Sequence, residues 1–211
     1  KLLQKKGKWK KGVNALADIP DVVQEYAGVE LDAYFDTAKA EYLLFHDSTE
    51  SERLPVESMV GRLSELGFNG SLWLDFKNLA AENEQLALRR LIELVSRYHL
   101  DSRIVVESGR PEFLQSFCRA GFFTSYYVPF FNPYLIGAEE RTAHARLIAE
   151  QCRNYPVSAL SGYYFQFPFL EENFPGMPLL TWVENPRWSL VNYFFQRKLH
   201  GEPSLLAILT Y

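Results

Sequence analysis

Glu30 and Asp32 interrupt the apolar stretch GVELDAYFD, two residues apart. If that stretch is a strand, Val29, Leu31 and Ala33 share one face. Both acids then share the other, with Cα atoms about 6 to 7 Å apart. Ionised carboxylates so placed repel one another, and partial burial strengthens the repulsion. A divalent cation removes the conflict, and carboxylate oxygens suit Mg2+ or Ca2+. SLWLDFKNL repeats the arrangement, with Trp73, Asp75 and Lys77 on one face and Leu72, Leu74 and Phe76 on the other. Asp75 fits as a third carboxylate of a cation site, and Lys77 as a point charge for a phosphate oxygen. The competing readings are strand-end acids that reach water and an Asp–Lys ion pair that serves structure alone. An inward lysine also permits Schiff-base chemistry of the aldolase kind.

His46 ends the apolar run YLLFHD, where an imidazole can act as a general acid or base, and Asp47 beside it can orient the ring or start a turn. Glu107 ends RIVVES and Trp182 comes late in LLTWV; the first is expected to line the mouth of a site and the second to wall its pocket. His99, His144 and His200 lie in or beside helical stretches and read as surface residues. Cys118 and Cys152 have no metal-ligand spacing and read as buried thiols.

These residues need elements to hold them. Short apolar strands alternate along the chain with helical stretches: VESMVGRLSELG, AENEQLALRRLIELVSRYHL, PEFLQSFCRAG, EERTAHARLIAEQCRNY and PRWSLVNYFFQRKLHG. Such alternation implies βαβ units and a parallel sheet. About eight strands follow the opening segment, one pair forming a local hairpin around DTAKA. A glycine fingerprint of the G-x-G-x-x-G kind is missing, which weighs against a doubly wound dinucleotide-binding sheet. The expected architecture is a single compact α/β domain over residues 1–211, a (β/α)8 TIM-type barrel, with residues 1–11 a basic N-terminal segment. In that fold the active-site groups project from the C-terminal ends of the strands, where Glu30, Asp32, His46, Asp75 and Lys77 would lie.

The chain has 211 residues, 47% hydrophobic and 23% charged, and can bury a substantial core. With a net charge of −4, nothing in the overall composition suggests a nucleic-acid binder. No window approaches the roughly 18 uninterrupted apolar residues of a membrane span. KLLQKKGKWKK holds six lysines and reads as a solvated tail or as a segment touching anionic head groups. The first residue is lysine rather than methionine, so any leader or anchor would lie upstream. An extracytoplasmic or membrane-associated location and a cytoplasmic one are all compatible with this. GYYFQFPFLEENFPGMP and FFTSYYVPFFNPY concentrate aromatic residues after strands. They are expected as loops over the site, either packed onto the barrel or forming an apolar rim.

The ordered set GVELDAYFD, LLFHD, LWLDFKN, RIVVES, TWVEN and AILTY resembles the phospholipase-C-like phosphodiesterase superfamily. That superfamily includes the glycerophosphodiester phosphodiesterases and the sphingomyelinase-D-type enzymes. The LDFK form, with aspartate ahead of lysine, is most similar to the menorin-like branch. The resemblance implies a divalent cation held by Glu30, Asp32 and Asp75, with Lys77 on the phosphate. His46 would be one of two catalytic histidines, and the substrate a glycerophosphodiester or lysophospholipid-type phosphodiester. The family's first histidine falls in KWKKGVN, where this sequence has Lys11 or Lys10, and the family's terminal T-D is Thr210–Tyr211 here. A lysine supplies charge but, at its reference pKa of about 10.4, is poorly suited to be a base. Two readings follow: a metal-dependent phosphodiesterase with weakened activity, using His46, Lys77 and Lys11, and a non-catalytic barrel that binds a phosphorylated ligand or a protein partner. Peripheral membrane contact through the basic segment or the aromatic loops fits either.

Overall fold

The structure is a computed structural model and describes residues 8–46, 53–183 and 190–210. The first lysines of the basic segment, Asp47, the last two residues of TWVEN, and Tyr211 lie outside these residues. In chain order the elements are β1 (Trp9–Lys10), α1 (Ile19–Glu25), β2 (Gly28–Asp36), β3 (Glu41–Leu44), β4 (Leu54–Pro55), α2 (Val56–Glu65), β5 (Ser71–Phe76) and α3 (Glu84–Tyr98). They continue with β6 (Ile104–Ser108), α4 (Gln115–Arg119), β7 (Phe123–Tyr127), α5 (Ala138–Asn154), β8 (Ala159–Tyr163), α6 (Phe167–Asn173), β9 (Leu179–Trp182), α7 (Leu190–Leu199) and β10 (Leu205–Thr210).

Eight strands, β1, β2 and β5 to β10, pair in parallel, and β1 closes the ring by bonding both β10 and β2. The result is a (β/α)8 barrel. Trp9 and Lys10, read in the sequence as part of a basic segment, form its opening strand. The expected local hairpin is β2 with β3, antiparallel from Ala33–Leu44 to Asp36–Glu41, and β4 extends it. Helix faces follow the 3.6-residue period. Val56, Met59, Val60 and Leu63 of α2 are buried, as are Ala87, Leu91 and Leu94 of α3, against the outward residues Val29, Leu31, Leu72 and Leu74.

Residues 162–178 were expected as a loop over the mouth. After the last two residues of β8, this stretch instead forms a 3-10 turn (Tyr164–Gln166) and α6, with Phe167, Phe169 and Leu170 buried on the outside of the barrel. Pro168 sits in the first turn, where a missing N–H costs nothing, so proline and aromatics that resemble loop composition open a packed helix.

Inward-facing residues fill the barrel. Trp9, Trp73, Val105, Ala159, Leu180, Ala207 and Leu209 form its apolar floor, with Trp9 edge-on to Trp73 at 6.3 Å between ring centroids. Trp9 is in register with Gly28, and a Cβ at Gly28 would lie 2.4 Å from the indole. The first strand can therefore carry a tryptophan only because its neighbour begins with glycine. Gly28→Val is expected to lower stability by about 1–3 kcal/mol through overpacking, read as a lower urea midpoint. An unchanged midpoint would mean that Trp9 does not occupy this floor.

Candidate active site

Two residues apart on β2, Glu30 and Asp32 both point into the barrel, and the β2–β5 register sets Asp75 level with Asp32. All three are buried, and each offers one oxygen within 4.8 Å of the others. The segment after β1 fixes two of them. Gly12 adopts a left-handed φ of 65°, and its N–H donates to Glu30 Oε2 at 2.7 Å. Asn14 Nδ2 donates to Asp32 Oδ2 at 2.7 Å, while its Oδ1 accepts the Asp32 N–H at 2.9 Å. From β5, Lys77 lies 2.7 Å from Asp32 Oδ1 and also pairs with Asp75 Oδ2. Asn78 locks this end of β5 to β2, accepting the Phe35 N–H and donating to the Phe35 carbonyl. Gly12, Asn14 and Asn78 were not singled out from sequence. Asn78, a polar residue just past the apolar strand SLWLDF, left a signal there; Gly12 and Asn14, after the lysine-rich KWKK, left none.

The electrostatics follow from burial. Glu30 is pushed up to about 8, first by loss of water and then by Asp32 and Asp75, with Lys77 and the Gly12 amide opposing. Burial also raises Asp75 against the pull of Lys77. Burial alone would lower Lys77, but Asp75 and Asp32 outweigh it and hold the ammonium above the ordinary lysine range. Lys77 is thus a fixed positive charge and cannot accept a proton at neutral pH. The donor set is all oxygen, buried and mutually repelling, which fits a hard divalent cation.

The structure brings several other predicted residues to this end of the barrel. Lys11, half-buried after β1, favours ionised Asp75 and holds its ammonium 5.8 Å from the Trp182 ring centroid. Tyr127 and Tyr163 both contact Trp182, with centroids 5.0 and 4.9 Å away. Tyr163 continues to Phe130 at 5.0 Å, and Phe130 is exposed. An aromatic wall therefore runs from the cation Lys11 to the surface. Phe45 donates its N–H to the Asp32 carbonyl, and His46 follows it, exposed on the rim. Glu107, expected at the mouth, is buried inside the barrel in register with Asp75.

No family model matches the chain, and no curated protein matches its sequence. Solved structures match its fold. A phosphodiesterase from Oleispira antarctica, in complex with the product sn-glycerol-3-phosphate, aligns at TM-score 0.67 and 12% identity, over 97% of this chain and 92% of that one. A glycerophosphodiester phosphodiesterase from Parabacteroides distasonis aligns at 0.61 and 16%, over 98% and 94%. A family 18 chitinase from Crocus vernus aligns at 0.53 and 12%, over 96% and 91%. The chain has the barrel fold of the glycerophosphodiester phosphodiesterases. Because a chitinase shares that architecture, the chemistry must be argued from the site.

Glu30 gives a signed pH effect. Between its ordinary value of 4.5 and its folded value of about 8, the folded chain keeps a proton that the unfolded chain has released. Raising pH through that window therefore weakens the fold, and the raised Asp75 acts in the same direction. In EDTA, Tm is expected to fall from pH 4.5 to about 8. Millimolar Mg2+ or Ca2+, or Glu30→Gln, is expected to flatten the fall. A Tm that rises across this range in EDTA would contradict the assignment.

Proposed function

We propose that this barrel is a cation-dependent phosphodiesterase acting on a glycerophosphodiester or lysophospholipid-type phosphodiester. The observation that carries the reading is the triad Glu30, Asp32 and Asp75 gathered beside Lys77 at the C-terminal end of a closed barrel. A bound Mg2+ or Ca2+ would act there as a Lewis acid on the phosphoryl oxygens. Gly12 and Asn14 hold Glu30 and Asp32 in place without side-chain freedom. Lys77 and Lys11 supply fixed positive charge to a phosphodiester entering beside them. His46 exchanges the proton at the attacking or leaving oxygen from the rim. The wall from Trp182 through Tyr163 to exposed Phe130 offers an apolar path for an acyl chain. Exposed Tyr134 and Leu135 lie in the same post-β7 segment, so this rim would also suit contact with a lipid surface.

A second reading rests on one departure. Lys11 stands where the resembling family has a histidine, and a barrel with cation and phosphate groups but half a proton-transfer pair can bind without cutting. Assays on glycerophosphodiesters and lysophospholipids separate the two readings. Turnover is expected in the wild type, with His46→Ala slower by about 100-fold or more. Asp32→Asn is expected to abolish cation binding in calorimetry. Equal background rates in wild type and His46→Ala, with the phosphodiester still bound, would favour the binding barrel. Higher turnover in Lys11→His would show that the frame is competent and only a base is lacking.

A further inference from the structure

Glu107 is 2% exposed, and the triad does not explain it. It projects into the barrel from β6, in register with Asp75 on one side and Ser125 on the other. Among the described residues its Oε2 has no hydrogen-bond partner, and neither has the fully buried Ser125 hydroxyl beside it. The Ser161 hydroxyl, also fully buried, is near enough to favour the ionised carboxylate, though it falls outside hydrogen-bond geometry. A buried carboxylate oxygen left bare is costly, and such groups in folded proteins are met by a donor or an ion.

The neighbours make matters worse for a carboxylate alone. Asp75 and Glu30 both act on Glu107 through space with the same sign of charge. The near cation, Lys77, is committed to Asp32 and Asp75. Fully ionised, Glu30, Asp32, Asp75 and Glu107 would set four negative charges against the ammonium groups of Lys77 and Lys11, two positive charges short. One divalent cation closes that difference. Lys77 pairs directly with Asp32 and Asp75, so the two carboxylates of this group without an ion pair among the described residues are Glu30, which has the Gly12 amide, and Glu107.

We propose that Glu107 is a fourth carboxylate of the cation site, with the Ser125 and Ser161 hydroxyls as its inner oxygen partners. The inference rests on the cation reading of the triad and extends its ligand set inward, to a position that reads from sequence only as mouth lining. It also has a chemical consequence. Ca2+ takes 6 to 8 oxygen ligands in flexible geometry, whereas Mg2+ keeps several waters and needs fewer protein oxygens. An inner carboxylate and two hydroxyls therefore favour Ca2+ over Mg2+.

Calorimetric titration of the full chain with Ca2+ and with Mg2+ tests this, using wild type, Glu107→Gln, Ser161→Ala and, as a control, Glu112→Gln at a half-buried glutamate paired with Arg110. Glu107→Gln keeps the shape and removes the charge. It is expected to weaken Ca2+ binding by about tenfold or more, to weaken Mg2+ binding less, and so to narrow the Ca2+/Mg2+ preference. Glu112→Gln is expected to match wild type. Ca2+ affinity within twofold of wild type in folded Glu107→Gln would overturn the inference while leaving the triad intact. That result would mean Glu107 is a neutral carboxylic acid packed for structure. If Glu107→Gln does not fold, Ser161→Ala carries the test: an unchanged Ca2+/Mg2+ ratio counts against the inference, and a narrowed one supports it. Wild type that binds neither cation would overturn both this inference and the reading beneath it.

Discussion

Glu30, Asp32 and Asp75 offer oxygens within 4.8 Å of one another in a place water barely reaches, and their mutual repulsion shapes everything near them. Left alone, such a cluster would either take up protons or open the barrel. The surrounding parts read as responses to that strain. Gly12 turns left-handed to aim an amide at Glu30, Asn14 grips Asp32 with both ends of its amide, and Lys77 bridges Asp32 and Asp75. These contacts oppose the repulsion without cancelling it, since Glu30 stays displaced upward to about 8. A fold that keeps an unresolved local conflict at the open end of a barrel, while its floor packs with tryptophan against glycine, places its instability where a ligand can relieve it.

The two acidic strands were legible because a strand has a period of two, and both E-x-D and D-x-K keep their polar members on one face. The barrel was legible because helices of suitable length separate the strands. What the period does not give is depth. It places Glu107 on the inward face but leaves open whether it meets the mouth or the interior. Depth is set by the register between neighbouring strands, and so by the shear of the closed barrel. The β5–β6 pairing of Asp75 with Glu107 decides it, and that pairing is invisible in either strand alone. Asn14 was hidden for a related reason, because its partner is 18 residues away on another strand. The aromatic stretch around Pro168 was misread because proline marks a loop and a helix's first turn alike.

The two lysines limit how a phosphodiester could be cut here. Lys77 faces two carboxylates and stays charged through any neutral pH, so it can attract a phosphoryl oxygen but cannot take a proton from water. Lys11 holds its ammonium 5.8 Å from the Trp182 ring centroid and acts through space on Asp75. Charge stabilisation is therefore plentiful at this end of the barrel, and on the proposed reading proton transfer would fall to His46 and to solvent. An exposed imidazole exchanges protons freely with water, and its orientation toward the substrate is the other part of what a catalytic base contributes. A phosphodiesterase built on this site would draw its charge stabilisation from the barrel's interior end and its proton transfer from the surface.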